Sequence, residues 1–528
     1  MRILFSVRNP SYVRHYESVL RLLAERGHDV LLVTERPERH TWPPSVFALA
    51  EAHPRIALSL MPDLTGDPWF ELATRLRQAR FYLRFLDPDY RGMPALLARA
   101  RSRAPGPAIR LAESLPLGRA GRRLLARCIG ALERATGMST VFHRYLEELK
   151  PDAVVMTPLV VLKTSQLDLA RAAIERGVRN VFAVASWDNL SSKGELTFLP
   201  QRVIVWNDVQ KREATELHDV PAERIAVTGA QVFDEWFVKT PATTREAFCA
   251  RVGLQADRPI VLYVCSALLE GSAPEPDFVL RWARHLRASG LPALADCGIL
   301  IRPHFKRWEE WQPISFAGLE NVVCWPPAGA SPVDPGSKGD YFDSLYHAAA
   351  VVGLNTSAMI EGAVLDRPVH TVLLPDFRDS QEGTVHFHYL LHGANRLLRA
   401  SSTLDAHAAD LAATLDGRLA DPARSRNFVR AFVRPGPASV PAATRFVEEL
   451  EMLVAAPAPA PLPEPAWARV VKPFLRPFAE AAAERVRRIK AEHRKVKLER
   501  LEEHRRARRQ ARSNTPVPGS TEAPVSKS

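Results

Sequence analysis

The chain has 528 residues, 46% of them hydrophobic, and carries 71 Lys and Arg against 59 Asp and Glu for a formal net charge of +12. That length exceeds what one hydrophobic core carries, so two large domains with additions are predicted. No apolar run is long enough to cross a bilayer, residues 1–7 are too short for a signal-peptide core, and the five cysteines are scattered without CxxC or His/Cys metal spacing. A disulfide scaffold and a zinc site are thereby excluded, and a cytoplasmic protein with reduced thiols is expected.

In chain order, residues 2–7 predict a first strand, Arg8-Asn9-Pro10-Ser11 a turn, residues 12–26 a helix ended by Gly27-His28, and residues 29–34 a second parallel strand. The opening lacks GxGxxG, so a dinucleotide cofactor is not indicated. His15 falls in the first turns of this helix. It is a candidate base if it reaches a reacting hydroxyl, and a structural histidine otherwise. Arg8 and Arg14 stand nearby, suited to an anionic group or to plain surface charge.

Residues 67–137 lose the strand pattern and read as a helical insertion, placed either to cover a cleft or only to pack. The sheet resumes at 153–157 and 180–184, with a helix at 163–176 between. The second of these strands delivers Ser186-Trp187-Asp188-Asn189-Leu190-Ser191-Ser192-Lys193-Gly194. Loops at the carboxyl ends of parallel strands carry chemistry, so Asp188 is a candidate proton acceptor and Lys193 a candidate phosphate contact. The competing reading is an Asx-turn at Asp188. Strands at 202–206 and 224–228 flank a helix at 209–218. Gly229-Ala230-Gln231 then begins a passage into a second domain through 233–252.

Residues 260–265 start that domain as a strand, and 266–272 form its first loop, suited to a diphosphate. A helix at 275–289 leads to a strand at 298–302 that ends in Arg302-Pro303-His304. Strands at 321–325 and 348–353 follow, with a polar loop and helix between. The latter breaks into Asn355-Thr356-Ser357, residues that start helices and aim unpaired N–H groups at an anion. Glu361, one turn beyond Ser357, suits both hydroxyls of a ribose. Arg367-Pro368 ends the helix and residues 369–374 form another strand. His388 and His392 share an i,i+4 face in FHYLLHG, but no carboxylate of suitable spacing joins them, which favours a capped helix over a metal site.

Helices at 403–415 and 423–433 close the fold, and 441–454 crosses back toward the first domain. Residues 455–466 are a Pro/Ala linker. In the tail, residues 466–512 hold 16 Lys/Arg against 6 Asp/Glu, leaving the rest near neutral. Trp467, Val470, Val471, Phe474 and Phe478 fall near helical spacing, interrupted by Pro473 and Pro477, with a basic helix expected beyond. Apolar residues beside such a run suit an anionic membrane surface. The basic run has no interleaved aromatics, so nucleic acid is not expected as a partner.

The sequence RPH followed by a strand, NTS, a Glu and RPV resembles the donor-nucleotide half of GT-B glycosyltransferases and their relatives, the glycerol-phosphate polymerases and nucleotide-sugar 2-epimerases. The opening that ends in ERGHDV is similar to their amino-terminal half, and SWDNLSSKG is similar to GT-B-like proteins of bacterial surface-carbohydrate synthesis. The resemblance implies an α/β fold of two doubly wound, Rossmann-like domains facing a cleft. Residues 1–237 would form the acceptor domain, 238–454 the nucleotide-donor domain, 467–512 a basic helical tail and 513–528 a disordered end. It implies transfer of a sugar from a nucleotide-sugar donor to a glycan or lipid-linked acceptor. The donor would be bound by Arg302, His304, Asn355, Thr356, Ser357 and Glu361, Asp188 or His15 would act as base, and Arg8 and Lys193 would touch acceptor or phosphate. The nucleotide-sugar is a co-substrate, and neither cofactor nor metal is required. A 2-epimerase, a polyol-phosphate transferase and a non-catalytic sugar-nucleotide binder share the same architecture.

Overall fold

A computed structural model describes residues 1–35, 42–114, 118–137, 140–269, 271–305, 307–326 and 334–513. Of the end expected to be disordered, 513–528, Ser513 is the last residue of the tail helix and 514–528 lie outside the described residues, as does Glu270 in the first loop of the second domain.

Seven parallel strands form the first sheet: β1 (Arg2–Val7), β2 (Asp29–Thr34), β3 (Ile56–Leu60), β4 (Ala153–Thr157), β5 (Arg179–Ala183), β6 (Arg202–Val205) and β7 (Ile225–Val227). Their order is β3-β2-β1-β4-β5-β6-β7. The second sheet comprises β8 (Ile260–Val264), β9 (Gly298–Arg302), β10 (Val322–Cys324), β11 (Ala350–Gly353), β12 (Val369–Val372) and β13 (Arg399–Ser401), in the order β10-β9-β8-β11-β12-β13. Each sheet thus steps out from its first strand to one edge and returns to build the other, the doubly wound order with a topological switch point beside its first strand. Two such domains meeting at their carboxyl edges are the GT-B arrangement. The central strands are buried on both faces, which explains why they read as unbroken apolar runs.

The edges were the hard part to read. In β3, only Ile56 is fully buried, and β13 has three residues, so neither carries the apolar run that marks a central strand. The first helix is also not continuous. Asn9 accepts from the Ser11 N–H at 3.1 Å and starts a 3-10 turn, Pro10–His15, while the α-helix proper is Glu17–Glu25. Between them, Tyr16 leaves helical geometry at φ −133°. Its buried hydroxyl lies 2.8 Å from the Thr157 hydroxyl and donates to the Ala183 carbonyl at 2.9 Å. A tether to the ends of β4 and β5 therefore sets the break, not local propensity.

The domains share an apolar seam. Trp187, Trp206 and Phe233 of the first pack in one cluster with Met359, Ile360, Phe387, Leu390 and Phe432 of the second. The crossover is fastened beside it. The Ala230 N–H donates to the Val433 carbonyl at 2.7 Å, and Asp234 accepts from Arg434 at 2.6 Å and from the N–H groups of Ala442 and Ala443. The helix Ala442–Ala455 then returns to the first domain, where Phe446, Val447, Leu450 and Leu453 complete the core beneath β1 and the Glu17–Glu25 helix.

The tail is helical over Ala466–Ser513, with Pro473 and Pro477 inside it, so the expected interruption does not occur. Both prolines are exposed and four residues apart, on one outer face. Packing of the opposite face against helices Pro68–Phe85 and Arg119–Ala135 of the insertion offsets the two lost backbone bonds. Among the described residues, no helix is long and apolar enough to cross a membrane.

Candidate functional site

The SWDNLSSKG segment leaves β5 and makes a short helix, Asn189–Ser192. Its turn is closed by Asn189, whose carboxamide oxygen accepts from the N–H groups of Ala185 at 3.1 Å and Ser186 at 3.2 Å. Asp188 is thereby left for other work, and its carboxylate lies 2.9 Å from the Lys193 ammonium. Burial opposes its ionisation. The charge of Lys193, the neighbouring His386 ring and hydrogen bonds from Lys193 and Ser186 outweigh that and hold the carboxyl well below the usual range. Asp188 is a fixed anion and a weak base.

The insertion holds this loop from behind. Arg84, on helix Pro68–Phe85, donates to the carbonyls of Leu190, Ser191 and Lys193 at 2.9, 3.1 and 3.2 Å, and Arg99 donates to that of Ser192 at 2.7 Å. These cations sit where the short helix presents its unpaired carbonyls. Gly194 follows, with its N–H on the Val160 carbonyl at 2.7 Å. A Cβ there would stand 3.0 Å from that carbonyl and from Leu162, so the position is closed to larger residues.

His15 and Tyr12 face the same ion pair from the end of β1, their rings 5.6 Å apart. Burial, with a smaller contribution from Arg14, lowers the His15 pKa to about 3, while the charge of Asp188 works the other way. The ring is neutral, and its Nδ1 is buried without a partner. The Tyr12 hydroxyl is raised by burial, and it feels Lys193, Asp188, Arg8 and Arg14 in turn. Arg8, Tyr12, His15, Asp188 and Lys193 thus converge, as do the ends of β1 and β5 that carry them.

In the second domain the chain turns at Gly353, where a Cβ would approach β8 to 3.2 Å at the Val264 carbonyl. The Asn355 N–H donates to the Ser266 hydroxyl at 3.1 Å. Its side-chain amide donates to the Ser380 carbonyl at 2.6 Å, the Thr384 hydroxyl at 3.2 Å and His386 Nε2 at 3.4 Å, and its carboxamide oxygen is buried without a partner. Asn355 therefore ties its turn to the loop after β12. Thr356 and the exposed Ser357 lead into helix Ala358–Val364; Ser357 makes no side-chain capping bond, and the Ala358 N–H donates to the Thr356 hydroxyl at 3.4 Å.

Glu361 accepts a short hydrogen bond from the Tyr341 hydroxyl. Burial raises its pKa, opposed by that bond and by the charge of Arg14 reaching over from the first domain. Arg302 does not project freely into the gap. Its Nη1 donates to Asp340 at 2.8 Å and Ser344 at 2.6 Å, and the guanidinium lies 5.3 Å from the Tyr341 ring centroid. It supports the tyrosine that holds Glu361. His304 stacks on Phe305 at 4.9 Å.

Across the gap His386 joins the halves. Its Nδ1 is 3.3 Å from the Ser192 hydroxyl, its Nε2 accepts from Asn355, and Trp187 meets its ring edge-on at 4.6 Å. Burial lowers its pKa to about 4 against the pull of Asp188. A second bridge runs from Lys338 to Glu17 at 3.0 Å, and a third from Tyr389 to Glu213 at 2.5 Å. No motif in the sequence marks His386, Tyr341, Arg84 or Arg99 as site residues. Each acts through a partner tens to hundreds of residues away. His388 Nε2 donates to the Glu382 carbonyl of its own loop at 2.7 Å, and its ring stacks on His392 at 5.4 Å. Two concavities of about 370 Å³ open elsewhere, one beside Arg202 and Met452 and one beside Arg2 and Asp29, and contain none of this polar cluster.

No protein-family model and no curated protein matches the chain. Among solved structures it is similar to a UDP-GlcNAc 2-epimerase from Neisseria meningitidis bound to UDP-GlcNAc, at 12% identity and a TM-score of 0.46, over 86% of this chain and 100% of that one. A putative UDP-N-acetylglucosamine 2-epimerase from Listeria monocytogenes is 10% identical with a TM-score of 0.49, over 88% and 99% of the two chains. A glycosyltransferase from Rickettsia africae is 11% identical with a TM-score of 0.46, over 86% and 97%.

Proposed function

We propose that the chain is a glycosyltransferase, moving a sugar from a nucleotide-sugar held by the second domain to an acceptor hydroxyl held by the first. The observation that carries this reading is the convergence, across one gap, of a charged cluster at the carboxyl edge of the first sheet with a hydrogen-bonded turn at the carboxyl edge of the second. His386 stands between Asp188 and Asn355.

In this mechanism the donor's ribose is held by Glu361, which Tyr341 fixes through one oxygen while Arg302 supports the tyrosine ring. The diphosphate lies against Thr356, Ser357 and His304 of the second domain, with Lys193 and Arg14 available from the first. Preorganised donors and cations there stabilise the charge that develops as the nucleotide leaves, so no metal is required. Of the two candidate bases, His15 is neutral whereas Asp188 is ion-paired; Arg14 Nε donates to His15 Nε2 at 3.5 Å, so Nδ1 carries the ring proton and Nε2 is the nitrogen that takes up the acceptor's. Asp188 then stabilises the imidazolium as His15 takes the acceptor's proton. The acceptor is a glycan or lipid-linked hydroxyl compound in surface-polysaccharide assembly.

Calorimetric titration of the full chain with UDP-, GDP-, CDP- and TDP-linked sugars tests the donor assignment. One class is expected to bind, and Glu361→Ala to weaken it about tenfold or more, the loss of a charged hydrogen-bonding partner. Unchanged affinity for every donor overturns the assignment. Conversion of a UDP-sugar alone into its 2-epimer identifies an isomerase instead.

A further inference from the structure

The tail helix Ala466–Ser513 is 48 residues long, about 70 Å at the helical rise. Its inner side is made of small residues, with Ala468, Ala479, Ala482 and Ala483 buried where it lies on helices Pro68–Phe85 and Arg119–Ala135 of the insertion. A different side faces solvent and is not small. Trp467, Val470, Phe474 and Phe478 are 43, 68, 73 and 66% exposed. At 100° per residue these four fall within a sector of about 80°, one continuous stripe. Farther along, the same sector carries the exposed Arg485 and Arg488, the latter 3.1 Å from Glu484, and then the exposed Glu492 and Glu499. The Arg119–Ala135 helix adds Leu124, 62% exposed, between the exposed Arg123 and Arg127. An apolar stripe of this size on a soluble surface marks an interaction site.

We propose that this stripe and its flanking cations dock the protein on an anionic lipid bilayer surface, with the aromatic side chains entering the headgroup boundary and the helix lying in the membrane plane. Two observations choose that occupant. The segment 466–512 carries 16 Lys/Arg against 6 Asp/Glu, complementary to anionic headgroups. A second copy laid parallel and in register on the same stripe would bring Arg485 and Arg488 against their like. A nucleic acid would find no stacking platform along the cations, because no Phe, Trp or Tyr occurs from 479 to 512. The docking does not depend on the proposed reaction. It does set the geometry of one, because the Pro68–Phe85 helix that carries the tail also carries Arg84, the brace of the Asp188 loop. A membrane-held acceptor would reach the gap from that side.

Flotation of the full chain with vesicles of phosphatidylcholine alone, or with about one third phosphatidylglycerol, tests the surface. The anionic vesicles are expected to carry the protein up and the neutral ones to retain about tenfold less. The triple variant Trp467→Ser/Phe474→Ser/Phe478→Ser replaces only exposed side chains and is expected to lose about tenfold in partition while keeping its circular-dichroism spectrum and melting temperature. Arg485→Glu/Arg488→Glu is expected to weaken binding and its salt dependence together. No flotation with anionic vesicles overturns the proposal, as does a triple variant that floats like the parent, which would mean charge alone. A dimer in sedimentation that the triple variant abolishes, without vesicle binding, assigns the stripe to a second copy. Binding to single-stranded RNA that outlasts the triple substitution, again without flotation, assigns the tail to nucleic acid.

Discussion

The two faces of the gap are built on opposite principles. The Asp188 loop is held by ionic groups: Lys193 on its carboxylate, and Arg84 and Arg99 on its carbonyls. The Asn355 turn is held by neutral ones, Ser266, Ser380, Thr384 and the uncharged ring of His386. The charged face depends on a separate helical insertion to supply its arginines, whereas the neutral face is stitched together by loops of its own sheet. A charged scaffold tolerates a carboxylate with its counter-ion and suits proton chemistry. A neutral lattice leaves its anion-facing end unneutralised, which suits a ligand that brings its own charge.

The largest effect that would break this contrast is expected at Arg84. Arg84→Ala removes three charge-assisted bonds to carbonyls and should cost about 3 kcal/mol, read from urea unfolding, with a loss of turnover as the Asp188 loop loosens. A loss below about 0.5 kcal/mol, the scale of ordinary surface changes, would show that the insertion only covers the loop. Asn355→Ala deletes neutral bonds in the opposite face and should cost less, about 1–2 kcal/mol, with donor affinity reduced more than turnover. Equal or greater damage than at Arg84 would reverse the ranking of the two faces.

The smallest effect concerns Glu275, the one carboxyl inside the neutral lattice. It accepts from the N–H of Ser266 at 2.9 Å and from the Tyr263 hydroxyl at 3.2 Å, and burial raises its pKa to about 8. The folded state therefore holds a proton that the unfolded chain releases near pH 4.5. This group's stabilising contribution is fully present below that value and is lost as pH climbs through about 8. Glu275→Gln should flatten the decline in melting temperature between pH 5 and 9, two values chosen to bracket the pKa of about 8. A decline unchanged by the substitution would place the titrating group elsewhere.

What could be read before folding followed the strands. Central strands such as β4, β8 and β9 are apolar throughout, so their ends, and with them Asp188, Arg302 and Asn355, could be assigned to the carboxyl edges of two sheets. Their partners could not. Nothing local in the sequence says that Arg302 spends its guanidinium on Asp340 and Ser344, or that Arg84 reaches Leu190 from 106 residues away. The local turn is closed not by Asp188 but by Asn189, which accepts from the N–H groups of Ala185 and Ser186, while the Asp188 carboxylate is drawn off by Lys193. Pro473 and Pro477 misled in the other direction, since a local penalty was offset by packing on helices some 350 to 400 residues upstream.

The returning helix Ala442–Ala455 makes the molecule indivisible at the place where its sequence invites a cut. A fragment ending at residue 237 would lack Phe446 and Leu450, both wholly sequestered in the amino-terminal lobe, and would expose the hollow they fill. Two strands of polypeptide, outbound near Gln231 and homebound near Val433, are clasped together at the lobe junction. The lobes are thus joined by two crossings fastened to each other, and a cut at either one divides residues that share a single core.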